Sequence, residues 1–237
     1  MVFHFMQKCE IMNIIYGNSA IFKNRTGIFV KYLTCSELEK ASRFLHEEDR
    51  VCYIVTHGLL KKYLYDSGNT DLPNAIIHYS NGEKPFIQGL NHDFNISHSG
   101  KYFALGIAKD NLRIGIDIEK LNHIPDMESV VRSYFSASEY GYIYDTDSDT
   151  ENQIIRFYEI WTRKEAFLKM AGIGLLTDLS KISISPYFSY NKLQISECQI
   201  PTEAFIFSKN YNEFILSVAS TQNIELQYIE ADENLIS

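Results

Sequence analysis

The 237-residue sequence is poor in cysteine, proline and tryptophan, with four, five and one of each. Cys9, Cys35, Cys52 and Cys198 stand far apart and form no CxxC pair. That argues against a disulfide framework or a zinc site and fits reduced, mostly buried thiols. An excess of positive charge is also missing: 22 Lys and Arg stand against 30 Asp and Glu, a formal charge of −8. A broad basic face for nucleic acid is not expected, and an anionic ligand needs a locally basic site. No hydrophobic run nears the ~20 residues of a membrane span. The opening VFHFM is too short for a signal-peptide core, and Lys8 and Glu10 interrupt the residues after it. The expectation is a soluble cytoplasmic protein. GxGxxG, Walker A and GxSxG motifs are absent, which disfavours nucleotide binding through those loops and a serine-hydrolase elbow.

Composition is otherwise ordinary for a globular protein, 45% hydrophobic and 22% charged, with aromatics at 14%. The aromatics are mostly Tyr and Phe, which favour strands. The length suits one large domain or two smaller ones. A strand-like NIIYG comes after Met12, so residues 1–11 read as an upstream extension. Ser36 and Glu39 resemble a capping box opening a helix that runs toward Arg50, and Val51–Leu64 reads as a second helical segment. FNISHSGKYFALGIA reads as strand, polar turn and strand, with a hairpin turn at Lys109–Asn111. A strong helix spans about Gln153–Ala171 and stops at Gly172. KISIS, LQIS, AFIF, EFILSVA and IELQYIE read as short strands. Helices and strands mix without a βα repeat, so the expected class is α+β.

Four segments carry chemistry. In LRIGIDIE, the residues Ile114, Ile116 and Ile118 share one face of a strand, and Asp117 and Glu119 share the other. Adjacent like charges are costly without a cation, and a hard divalent ion takes one or two protein carboxylates plus phosphate and water. In WTRKEAFLK, Glu165 and Lys169 lie four apart on one helix face. Ser97-His98-Ser99-Gly100 puts small hydroxyls and an imidazole at a turn. Lys84 precedes Pro85 in a loop. Each segment alone also reads as an ordinary solvated surface.

Taken in order, GEKP, FNISHSG, GIDIE, WTRKEAFLK and GIGL resemble the signature of Sfp-type 4′-phosphopantetheinyl transferases. The resemblance spans about Gly82 to Leu175 and extends more weakly to Lys40–Arg50. It implies an α+β fold of two similar halves related by a pseudo-twofold axis, with the active site between them. The halves would be residues 1–110 and residues 111–237, the second carrying the metal-binding acids. It implies Asp117, Glu119 and Glu165 as metal ligands, and Glu165, Lys169 and Lys164 as catalytic residues. It implies Lys40, Arg50, Lys84, Ser97, His98 and Lys169 as contacts to coenzyme A. Two departures stand out: Glu83 in the GEKP loop, and Glu37 at a position often basic in relatives.

The implied reaction moves phosphopantetheine from coenzyme A, as substrate, to a serine of an apo acyl, polyketide or peptidyl carrier protein. It uses Mg²⁺, or Mn²⁺ in its place, and releases adenosine 3′,5′-bisphosphate. The nucleophile belongs to the partner, so no nucleophile motif is needed. A monomer is expected, without nucleic-acid or membrane partners. Two other classes stay open: a metal-dependent phosphohydrolase that releases pantetheine phosphate without a carrier, and a silent module that binds carrier or coenzyme A.

Overall fold

A computed structural model describes residues 11–68, 75–79, 84–109, 112–145, 149–173, 179–188, 190–192 and 203–232. The fold is α+β, built on two four-stranded sheets. The first half runs β1 (Ile11–Asn18), a 3₁₀ turn, α1 (Gly27–Val30), α2 (Cys35–Ser42), α3 (Glu47–Asp66), β2 (Ile77–His78), β3 (Phe86–Ile87), β4 (His92–Ser99) and β5 (Tyr102–Lys109). The second runs β6 (Ile114–Lys120), α4 (Met127–Tyr134), α5 (Ala137–Ile143), α6 (Thr150–Ala171), β7 (Tyr190–Lys192), β8 (Glu203–Asn210) and β9 (Phe214–Ser220). β10 (Glu225–Ala231) ends the described chain.

The two halves repeat one path. A first strand leads to a long helix and then a hairpin, and the first strand pairs with the hairpin's second arm. This gives β1-β5-β4 in one sheet and β6-β9-β8 in the other. The last strand, β10, pairs in parallel with β1 and joins the first sheet.

Period-two patterning explains the layers. Met12 and Ile14 of β1, Ala104 of β5, Ile114, Ile116 and Ile118 of β6, and Leu216 and Val218 of β9 form one buried cluster between the sheets. The opposite faces are covered by helices. Ile15, Phe103 and Leu105 pack with Val55 and Leu59 of α3, and Ile206 and Ala219 pack with Phe167 and Leu168 of α6.

Helix ends differ from the sequence expectation in the first half. Thr34, not Ser36, caps α2, with Glu37 closing the capping box. Thr34 reaches both Glu37 groups, whereas Ser36 already lies inside the helix. Residues 36–50 are two elements, since α2 stops at Ser42 and α3 starts at Glu47 behind an acidic first turn. α6 starts at Thr150 under an Asp149 cap and stops at Gly172 in the left-handed region. KISIS is not a strand; its first residue closes a 3₁₀ turn, and Ile182 and Ile184 fill the core. LQIS lies outside the described residues. β5 and β6 do not form a hairpin ladder, because β6 pairs with β9 instead.

Candidate active site

Two contacts set the site. The first is the approach of α6 to β6. A Cβ on Gly115 would stand 1.9 Å from the Ala166 carbonyl oxygen, so only glycine lets this helix lie on this strand. The turn of α6 beside Gly115 carries Glu165 and Lys169 onto the acidic face of β6. The second is the seam between the sheets, where β4 and β6 meet through side chains rather than a ladder. The Ile114 N–H donates to Asp93 Oδ2 at 2.8 Å, the Ile116 N–H to Asn95 Oδ1 at 2.8 Å, and the Ile118 N–H to Ser97 Oγ at 3.4 Å. Alternate polar residues of β4 thus satisfy the free edge of β6.

The same seam holds the acids. Ser97 Oγ donates to Asp117 Oδ1 at 2.9 Å, and Ser99 Oγ donates to Glu119 Oε2 at 2.6 Å. The Lys169 ammonium donates to Asp117 Oδ1 at 2.6 Å and to Ser97 Oγ at 2.9 Å. Burial first, then the charge of Asp117, pushes the Glu165 carboxyl up to about 7, against the opposing pull of Lys169. Burial also raises Glu119. Asp117 Oδ2 and Glu165 Oε1 are buried with no hydrogen-bond partner. Orphaned acceptors of one sign in one place call for a cation.

A cavity of about 470 Å³ opens beside these groups, between the halves. Lys40, Lys84, His98, Glu165 and Lys169 line it, with Phe44, Tyr53, His57 and Tyr79 at an aromatic end. Lys40 Nζ stands over the rings of Tyr79 and Tyr53, at 4.7 and 5.2 Å from their centroids. Lys84 is ion-paired with Asp93, and burial lowers its ammonium to about 8. Burial and, less strongly, Lys169 hold His98 below the ordinary histidine value, while Asp49 opposes them.

Profiles and relatives bear on this arrangement. The profile described as 4′-phosphopantetheinyl transferase, N-terminal matches residues 23–109, and that of the 4′-phosphopantetheinyl transferase superfamily matches residues 113–219. The 4′-phosphopantetheinyl transferase ffp of Bacillus subtilis is 33% identical over 173 residues, covering 72% of this chain and 74% of that protein. The chain belongs to the 4′-phosphopantetheinyl transferase family. The 4′-phosphopantetheinyl transferase Sfp of Bacillus subtilis (strain 168) is 32% identical with the same coverage, and HetI of Nostoc is 31% identical over 65% of each chain. The transferase is of the Sfp type.

Within the transferase, Lys40, Lys84, His98, Glu165 and Lys169 line the cavity, Asp117 and Ser97 stand behind Lys169, Glu119 is held by Ser99 outside the lining, and Lys164 and Arg50 are not brought to the site. Lys164 sits on the far side of α6, fully buried, 2.8 Å from Glu139 and donating to the carbonyls of Tyr134 and Leu179. The helix turns its neighbours apart, so Lys164 holds the scaffold while Glu165 faces the ligand side. Arg50 is exposed on α3 beside Glu47 and does not line the cavity. Ser97 is engaged by Asp117 and Lys169 rather than held open for phosphate. Asn95 is missing from the sequence reading, although the polar alternation of Asp93, Asn95, Ser97 and Ser99 could have revealed it. Tyr53, His57 and Tyr79 were missed as well, with no local signal.

The donor set fits a hard divalent ion only in part. Among the described residues, no three His, Cys, Asp or Glu side chains are grouped so as to enclose an ion by themselves. The orphaned oxygens of Asp117 and Glu165 suit an ion that completes its shell with phosphate and water. No described helix is long and apolar enough to cross a membrane.

Proposed function

We propose that this transferase moves 4′-phosphopantetheine from coenzyme A to a serine of an apo acyl, polyketide or peptidyl carrier protein, with Mg²⁺ or Mn²⁺, releasing adenosine 3′,5′-bisphosphate. The observation that carries the reading is the convergence of Asp117, Glu165 and Lys169 beside a cavity that also takes Lys40, Lys84 and His98. Asp117 and Glu165, through their unpartnered oxygens, and Glu119 beside Asp117 on β6 would hold the ion, which would complete its shell with phosphate and water. When bound, Mg²⁺ neutralises charge developing on the diphosphate.

The chain's own groups do the rest. Lys40, with its ammonium over two rings, holds the 3′-phosphate. Lys169 and His98 donate to phosphate oxygens on the leaving side. Glu165, or a water it orients, accepts the proton of the carrier serine. The serine oxygen forms a bond to the β-phosphorus as the diphosphate P–O bond breaks, and the electron pair leaves on adenosine 3′,5′-bisphosphate. Ser97 and Ser99 keep Asp117 and Glu119 oriented. The two halves act as one monomeric unit around this cavity.

The test incubates the protein with coenzyme A, Mg²⁺ and a panel of apo-carriers, read by intact mass. One carrier gaining one phosphopantetheine is the expected result. Release of pantetheine phosphate without a carrier would instead establish a phosphohydrolase, and carriers left apo throughout would establish a silent binding module. Excess EDTA should abolish transfer, and full activity in EDTA would overturn the metal assignment.

A further inference from the structure

The aromatic end of the cavity contains a hydrogen-bond chain with a fixed direction. His57, on α3, has Nδ1 at 3.0 Å from the Tyr53 carbonyl oxygen. A carbonyl only accepts, so Nδ1 carries the proton. His57 is buried, and burial lowers its imidazole to about 4, so the ring is neutral at pH 7 and Nε2 bears a lone pair. The Tyr79 hydroxyl lies 2.8 Å from Nε2 and must be the donor there. The proton of Tyr79 is thereby committed inward. Its oxygen keeps only acceptor capacity for whatever enters the cavity.

The surroundings point the same way. Burial first, then Glu37, raises the Tyr79 hydroxyl, so it stays protonated and its proton remains on the bond to His57. Lys40 stands over the Tyr79 ring, leaving the hydroxyl rather than the ring face for a directional contact. A phosphate, which can only accept, gains nothing from a tyrosine whose proton is already used.

We propose that Tyr79, oriented by His57, is a specificity-determining residue that accepts a hydrogen bond from the exocyclic amino group of the nucleotide base, so that the cavity selects a 6-aminopurine over a 6-oxopurine. The inference rests on coenzyme A being the substrate. Tyr79 touches the ligand, and His57 is a positioning residue that acts through it. Neither residue takes part in the transfer of the phosphoryl group.

The experiment compares kcat/KM for coenzyme A with that for coenzyme A carrying hypoxanthine in place of adenine, using an accepted apo-carrier. The wild type should prefer the adenine form by about 10-fold or more, since the oxo group faces an acceptor and leaves it unpaired. Tyr79→Phe should bring that ratio near one, chiefly by losing adenine-form activity through KM. His57→Leu should narrow the ratio from the other side, because a freed Tyr79 proton can then be donated to the oxo group. Equal use of both substrates by the wild type overturns the inference. So does a Tyr79→Phe protein that keeps the wild-type ratio. If Tyr79→Phe weakens coenzyme A but not its 3′-dephospho form, the tyrosine serves the phosphate and the inference is also overturned. Failure of the wild type to use coenzyme A at all is a different result, and it removes the proposed function itself.

Discussion

Each half of the molecule buries a lysine of its long helix against the glutamate of a capping box. Lys61 of α3 meets Glu37 at 2.5 Å, and Lys164 of α6 meets Glu139 at 2.8 Å. Both lysines are fully buried and stand equally far from the start of their helices. Thr34 and Ser136 cap the two short helices in the same way. From that shared clamp the halves diverge. The residue after Lys164 is Glu165, in the cavity wall; the residue after Lys61 is Lys62, paired with Asp66 at the surface at 2.6 Å. On the sheets, Asp117 of β6 has its counterpart by facing and order in Ile15 of β1, which is packed in the core. Gly115 lets α6 touch β6, whereas its counterpart Asn13 reaches α3 by a side chain, with Nδ2 donating to Tyr63 Oη at 2.6 Å. One scaffold is thus used twice, and a handful of side chains give only the second half its acids. The buried pair belongs to the scaffold, which explains why a lysine beside a candidate catalytic glutamate is not at the site.

The largest effect should come from breaking that shared element. Lys164→Met and Lys61→Met each leave a buried glutamate unpaired and should each lower unfolding free energy by ~3–5 kcal/mol in urea. A loss confined to one half would break the equivalence. Next is Glu165→Gln, which keeps shape and removes charge. Its turnover should fall by a factor of ~10² or more while the melting temperature hardly changes. A variant with wild-type turnover would return Glu165 to an ordinary helix pair.

His57 gives a third, pH-dependent difference, since Ile160 stands at its place on α6. Burial first lowers the folded-state pKa of His57 from 6.5 to about 4, with Lys40 and Lys61 adding to it and Glu37 and the Tyr53 carbonyl opposing. Between those values the unfolded chain binds the extra proton. Stability should therefore rise with pH through that window and be lost as pH falls toward 4. His57→Gln should remove about 2 kcal/mol of that loss between pH 7 and pH 4.5, measured by urea unfolding at both. Identical slopes for the two proteins would show that His57 does not titrate this way. The smallest effect belongs to Lys62→Gln, at the position of Glu165 in the other half. It should cost ~0.5 kcal/mol or less and leave turnover intact. A large fall in turnover would mean that α3 contributes chemistry at this position.

Much of the second half was legible locally. The alternation of Ile114, Ile116 and Ile118 against Asp117 and Glu119 forces those acids onto one strand face, because side chains alternate along any strand. The spacing of Glu165 and Lys169 puts both on one face of a helix for the same kind of reason. Gly172 as the helix stop was also readable. The capping box was misread by two residues because Ser36 and Glu39 satisfy the same sequence pattern as Thr34 and Glu37, and only backbone geometry separates them.

Sequence by itself determined the α+β class, the acidic face of β6 and the Glu165–Lys169 face of α6, since each derives from the period of one element. The polar turn expected at Ser97–Gly100 is instead strand β4 as far as Ser99 and turns only at Gly100 and Lys101. Tertiary structure decided what those faces meet. It gave Ser97 and Ser99 to Asp117 and Glu119 across the β4–β6 seam, sent Lys164 to Glu139, left Arg50 outside the cavity and returned β10 to the first sheet. It also joined His57 to Tyr79, 22 residues apart in sequence. These pairings depend on how elements distant in the chain are stacked, and no local period encodes which faces are brought into contact.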